Sequence, residues 1–290
     1  MTTTTDPKIE ALMGSLTEQV IASIEEGIAN PKGWAAPWHS ILAGAVNATT
    51  KRKYNGGNAL FLGFMGEGPW ATFKQWQTVG ATVRKGEKGT MILVPAPVKF
   101  TKTDAKTGED KTVRFVRYRT AYVFNAGQVD GWTAPEGPVN PEPRIADAEA
   151  WLAAWSAVVP VSHAPNRAYY TPSQDTITLP AFDHFKSAEG YYSTAMHEAG
   201  HSTGHPDRLN RNMGEGFGTP SYAREELVAE LTAAFLGNHF GIATGMADHN
   251  RDYLANWLQA LKNDTSLLWD AAADAQKAVA LLLSVVPDSE

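Results

Sequence analysis

His197-Glu198-Ala199-Gly200-His201 is the stretch best suited to chemistry, with two imidazoles four residues apart and a carboxylate beside the first. On a helix, positions i and i+4 share a face, so both rings can reach one metal ion. The glutamate between them then stands beside the metal without binding it, where it can take a proton from water. The expected chemistry is metal-assisted hydrolysis, with His197 and His201 as ligands and Glu198 as general base.

Two histidines leave such a site one protein ligand short. Glu226 and Glu230 lie in a strongly helical run, Ala223 to Leu231. Their i, i+4 spacing lets one ligate metal while the other accepts a hydrogen bond from a ligating histidine. Asp207 competes, because His197 to Asp207 also fits H-E-x-x-H-x-x-G-x-x-D. Against it, Gly204, His205 and Pro206 would end the helix, and the methionine turn that goes with that spacing is not placed, Met246 being one candidate. Glu226 is therefore the expected third ligand, Glu230 and Asp207 the alternatives, and Glu225 a surface carboxylate. The chain has no cysteine, so a metal must rest on His and carboxylate. Zn2+ is expected, and Mn2+ or Co2+ is compatible with the same donors. Tyr191 and Tyr192 could stabilise an oxyanion or simply pack. His205 reads as a helix-end residue, and His39, His163, His184, His239 and His249 have no metal spacing.

These side chains need elements to hold them. Tyr191 to Thr203 is expected as the metal-binding helix, preceded by a helix from Ile145 to Val159 and a hairpin or edge strand from Tyr169 to Leu179. Thr176-Ile177-Thr178-Leu179 is either a cradle for an extended substrate or an ordinary core strand. Asp252 to Leu261 and Leu267 to Leu283 are apolar-periodic packing helices. Earlier in the chain, Ile9, Leu12, Met13, Leu16, Val20, Ile24 and Ile28 mark a helix. Pro31 to Gly68 reads as mostly irregular, and Trp70 to Val79 as a short helix ending at Gly80. Thr90 to Val98 and Thr112 to Phe124 read as strands around a polar tip, Asp104 to Lys111. The fold class is α+β.

The net charge of −6 is unevenly spread: residues 1–130 carry 16 basic and 11 acidic side chains, residues 131–290 carry 9 and 20. Within 51–119 the count is 14 against 5. The sign change falls on Gly131 to Arg144, whose four prolines and two glycines read as a linker. The expected domains are thus a basic, aromatic-rich 1–130, the linker 131–144, and 145–290. Trp34, Tyr54, Trp70 and Phe73, with Trp38 and Trp76, interleave with Lys51, Arg52, Lys53, Lys74, Arg84, Lys85 and Lys88, and Asn58 closes a glycine-rich turn. Aromatic faces among cations are how single-stranded DNA is held, although the same residues also build ordinary cores. The opening residues lack a secretory pattern and no apolar run reaches membrane-spanning length, so the cytoplasm is expected.

The chain resembles the ArdC-type antirestriction proteins of conjugative plasmids and phages over nearly its whole length. The likeness rests on Trp70 to Gln75, Gly80, Val83 to Thr90, Val123 to Ala126 and Gln128. It continues with His197-Glu198 through His201, Thr203 to His205, Arg208-Leu209, Glu225 to Leu231 and Ala234-Phe235. The resemblance implies an N-terminal domain that binds single-stranded DNA, a C-terminal zincin-like metallopeptidase domain, and protection of incoming DNA from restriction. It also favours Glu226 or Glu230 over Asp207. Three roles follow as expectations: an antirestriction protein with an additional peptidase, a regulatory peptidase that cuts a repressor or host restriction protein, or a DNA-coating protein whose metal is structural.

Overall fold

The computed structural model describes residues 7–30, 45–66, 68–103, 110–133, 142–164, 167–213, 216, 219–242 and 251–286. Trp34, Trp38, His39, Met246, His249, the tip at 104–109 and much of the Pro/Gly linker lie outside the described residues. The chain runs α1 (Pro7–Ala29), α2 (Gly56–Met65), β1 (Trp70–Ala71), α3 (Phe73–Thr78), β2 (Thr82–Val83), β3 (Thr90–Thr103), β4 (Asp110–Asn125) and β5 (Val129–Asp130). It continues α4 (Glu142–Ser156), β6 (Val161–His163), β7 (Tyr169–Thr171), β8 (Thr176–Leu179), α5 (Ala188–Ser202), α6 (Pro220–Phe240), α7 (Arg251–Asn263) and α8 (Leu267–Leu283). The mixture is α+β.

Two compact units divide these elements, one of residues 1–45, 54–67 and 135–290, the other of 46–53 and 68–134. This grouping differs from the expected domain of residues 1–130, because α1 and α2 group with the C-terminal helices. Leu16, Val20 and Ile24 of α1 are fully buried. Thr17 Oγ1 donates to the Thr265 carbonyl at 2.7 Å, and Trp269 Nε1 donates to the Met13 carbonyl at 3.3 Å. Helical periodicity shows that a face is buried, not which distant segment covers it. Within the stretch expected to be mostly irregular, Pro31 to Gly68, the helix α2 forms. A Cβ on Gly57 would stand 2.0 Å from the Trp269 ring, so this glycine serves close packing within a helix and not a loop.

In the smaller unit β1, β4 and β3 form one sheet in that order, and β2 pairs with β5. Trp70 and Ala71 are strand residues opposite Asn125 and Phe124, so the helix expected from Trp70 starts only at Phe73. Thr72 and Gln75 make a reciprocal capping box there. Trp76 is fully buried with Ala48, Ala71, Ala81 and Val129, and its Nε1 donates to the Phe124 carbonyl at 2.9 Å.

In the larger unit β8 lies between β6, parallel to it, and β7, antiparallel. Both sides of Thr176–Leu179 are therefore paired, and this strand is no substrate cradle: it is a core strand, and the edge role falls to β7. α6 is buried on nearly every side, from Ala223 through Gly237. Among the described residues, no helix is long and apolar enough to cross a membrane.

Candidate functional site

α5 starts at Ser187, whose hydroxyl accepts from the Gly190 N–H, and carries His197 and His201 in its second half. α6 starts at Thr219 in the same way, accepting from the Tyr222 N–H. The two helices touch at Gly200, where a Cβ would lie 3.2 Å from both the Ala229 Cα and the Thr232 Cβ. Only glycine permits that approach without displacement, and the approach brings the glutamates of α6 to the histidines of α5.

His197 Nε2 stands 3.2 Å from His201 Nε2. Glu226 Oε2 is 3.5 Å from the first nitrogen and its Oε1 is 3.5 Å from the second. Among the described residues, His197, His201 and Glu226 form the one group of donors that converges closely enough to hold a metal ion. Bonds of about 2.1 Å at tetrahedral angles put ligand atoms about 3.4 Å apart, so a nitrogen–nitrogen–carboxylate set at this spacing fits a divalent cation.

The outer ring nitrogens each face a carboxylate as well. His197 Nδ1 lies 3.3 Å from Glu230 Oε2, and His201 Nδ1 lies 3.3 Å from Glu225 Oε1. Glu225 is 1% exposed, which corrects the expected surface carboxylate. The buried Arg211 grips it, Nη2 donating to Oε1 at 2.7 Å and Nε to Oε2 at 2.9 Å. The same guanidinium reaches the Thr203 hydroxyl at 2.7 Å and the Gly200 carbonyl at 2.9 Å. The sequence did carry a signal for this burial: Val228, Ala229 and Leu236 share the helix face of Glu225 and are apolar.

Electrostatics follow from these contacts. Burial disfavours the Glu226 carboxylate, but the facing histidines outweigh it and hold its pKa down to about 2. Burial likewise favours neutral imidazoles, yet the carboxylates at His197 and His201 lift both above the usual range. Such surroundings favour a cation between the rings as much as a proton on them. Glu198 accepts from the Tyr170 backbone N–H, and burial pushes its pKa up despite the neighbouring histidines. A raised carboxylate is suited to accepting a proton and returning it.

Asp207 does not join this group. α5 ends at Ser202, and the Asp207 side chain beyond it is 88% exposed beside His205. Tyr191 and Tyr192 pack: Tyr191 lies edge-on to Phe182 and Phe185, and the Tyr192 hydroxyl donates to Glu149. A further tie was not foreseen. Arg208 donates to the Ser202 carbonyl at 2.7 Å and to Asp175 Oδ2 at 2.9 Å, while the Tyr170 hydroxyl donates to Asp175 Oδ1 at 2.7 Å. It joins the end of α5 to the β7–β8 turn, and so holds Tyr170 against Glu198.

The residues expected to bind DNA scatter. Lys51, Arg52 and Lys53 are exposed in the smaller unit, as are Phe73, Lys74, Lys85 and Lys88. Trp70 is 1% exposed, a correction: its ring fills the core and cannot receive a base. Arg84 is engaged in structure, paired with Glu87 at 3.0 Å and Asp130 at 3.5 Å. Tyr54 and Asn58 belong to the larger unit.

A zincin-like metallopeptidase domain joined to a second, basic domain is the class defined by this fold and site. Residues 146–274 match the zincin-like metallopeptidase family, and residues 10–124 match the N-terminal domain of the anti-restriction factor ArdC. The uncharacterized protein y4eC of Sinorhizobium fredii is 36% identical over 276 residues, covering 90% of this chain and 88% of that one. The DNA primase TraC of Escherichia coli is 39% identical over 281 residues, but the chain spans only 26% of its length. The metal-free crystal structure of the antirestriction protein ArdC from plasmid R388 is similar with a TM-score of 0.70 and 32% identity, over 94% of this chain and 97% of that one. Its Mn(II)-bound form gives 0.69 and 31%, over 96% and 99%. The chain belongs to the ArdC-type antirestriction family.

Proposed function

We propose that this protein works in the cytoplasm as an antirestriction factor whose smaller unit binds single-stranded DNA and whose larger unit is a metal-dependent peptidase. The carrying observation is the convergence of His197, His201 and Glu226 with the buried Glu198 at their side. These three residues would hold the metal, and the Mn(II)-bound relative makes Mn2+ as reasonable an occupant as Zn2+. When bound, a divalent cation supplies Lewis acidity toward a peptide carbonyl and acidifies water. Glu198 takes the proton of the attacking water and delivers it to the departing amine. β7, the sheet edge whose Tyr170 N–H holds Glu198, offers a line along which an extended peptide can pair. The DNA role rests on family membership and on the basic charge of residues 51–119.

Glu198→Gln tests the peptidase. It preserves the ligands, so the variant should bind metal with unchanged stoichiometry while cleavage of a denatured protein substrate falls about 100-fold or more. Undiminished cleavage by the metal-loaded variant removes Glu198 from the mechanism.

A further inference from the structure

We infer that the solvent-facing side of the β3–β4 hairpin is the surface on which single-stranded DNA stacks, with Tyr118 and Tyr122 as its main contacts and Phe73 prolonging the row. The inference rests on the DNA-binding reading above and gives it a location the sequence did not suggest.

Successive residues of a strand point to opposite faces, and β4 sorts its residues accordingly. Val123 is fully buried on one face, while Tyr118 is 58% and Tyr122 51% exposed on the other. The ladder sets Pro95 opposite Tyr118 and Met91 opposite Tyr122. Phe124, on the same face, meets Phe73 edge-on with ring centroids 6.3 Å apart, and Phe73 is 46% exposed. Among the described side chains of the smaller unit, these three are the exposed aromatic rings. A soluble protein gains nothing in its own core from rings left in water, and a row of them calls for a partner.

Charge selects the partner. Lys74, Lys85 and Lys88 are exposed in this unit, while the acids Glu87 and Asp130 are both paired with Arg84. The register also sets Lys99 across from Arg114, a rung on which both residues are cationic. Protein contacts deplete charge at their centre. Exposed rings in a unit rich in cations suit a polyphosphate whose bases stack, and stacking accepts any base. Tyr118 and Tyr122 are four residues apart on one strand, about 13 Å, with Thr120 between them.

The test is fluorescence anisotropy of labelled oligo(dT) with the full-length protein, its Tyr118→Ala/Tyr122→Ala variant and its Tyr118→Phe/Tyr122→Phe variant, across a salt series. The alanine pair should weaken binding at least about tenfold with the salt slope unchanged, because stacking is lost and phosphate contacts remain. The phenylalanine pair should bind as the unaltered protein does, since the ring is what stacks. Tyr118→Ala alone repeats the measurement should the double variant melt early. Tight binding by the unaltered protein and equally tight binding by the alanine pair would overturn the location and leave the DNA reading standing. No binding by the unaltered protein would remove both. Unchanged DNA affinity with a shift in oligomeric state would assign the face to a second copy of the chain.

Discussion

Each imidazole of the His197–His201 pair faces a carboxylate at both nitrogens, Nε2 toward Glu226 and Nδ1 toward Glu230 or Glu225. Such outer partners fix the tautomer and the ring plane, and losing one costs metal affinity even where the ligands survive. Glu225 is itself buried and needs a countercharge, which Arg211 provides through two hydrogen bonds. Arg211→Met would strand that carboxylate and also release the Gly200 carbonyl and the Thr203 hydroxyl. Metal affinity, measured by titration calorimetry, should fall about 10- to 100-fold. The fold should lose about 3–5 kcal/mol, the cost of breaking a buried ion pair from one side. Lysine should not rescue, because it lacks the planar fork that holds both carboxylate oxygens. Full metal affinity in a folded Arg211→Met variant would show that His201 is oriented without Glu225. At this scale His197, Glu198 and His201 were legible because a four-residue spacing is a local geometric fact. Glu225 and Arg211 were not, because their contact is made only where two helices cross.

The elements that carry the site are held together at two points, the close crossing at Gly200 and the Arg208–Asp175–Tyr170 tie. The second titrates. Hydrogen bonds from Arg208 hold the Asp175 carboxyl below its ordinary value, with the Tyr170 hydroxyl adding to the effect against some burial. A depressed carboxylate contributes stability above its unfolded pKa, about 3.9, and that contribution is lost as pH falls through the lower folded value. Chemical denaturation at a series of acidic pH values should show this loss, and Asp175→Asn should be less stable near neutrality with a flatter acid limb. An unchanged acid limb in the variant would mean the tie adds nothing to stability. Among the helices, Leu267–Leu283 was bounded as it forms, because apolar residues at three- and four-residue spacing are legible within one segment, whereas α2 was missed. β8 was not placed, since strand order depends on a parallel partner, β6, separated from it by β7 in sequence. Trp70 misled for a related reason, as a tryptophan among lysines looks the same whether its ring is in the core or in water.

At the scale of the whole molecule, the charge boundary near residue 131 and the spatial boundary do not coincide. α1 precedes the basic segment yet lays Leu16, Val20 and Ile24 into the unit that holds the metal donors, with Glu25 and Lys262 paired at its margin. The smaller unit is therefore an insertion between elements of the larger one, and the two need not unfold together. A bound divalent cation stabilises only the unit that binds it, so metal should raise one calorimetric transition and leave the other in place. Ile24→Ala removes a fully buried side chain and should cost about 2–5 kcal/mol. That loss belongs to the metal-sensitive transition, which should move to lower temperature while the other stays put. If the metal-insensitive transition moved instead, α1 would pack with the basic unit as its place in the sequence suggests. The distinction decides which fragments can be studied alone: cutting at the charge boundary separates α1 from the helices it covers, whereas excising residues 68–134 leaves the metal unit's core intact.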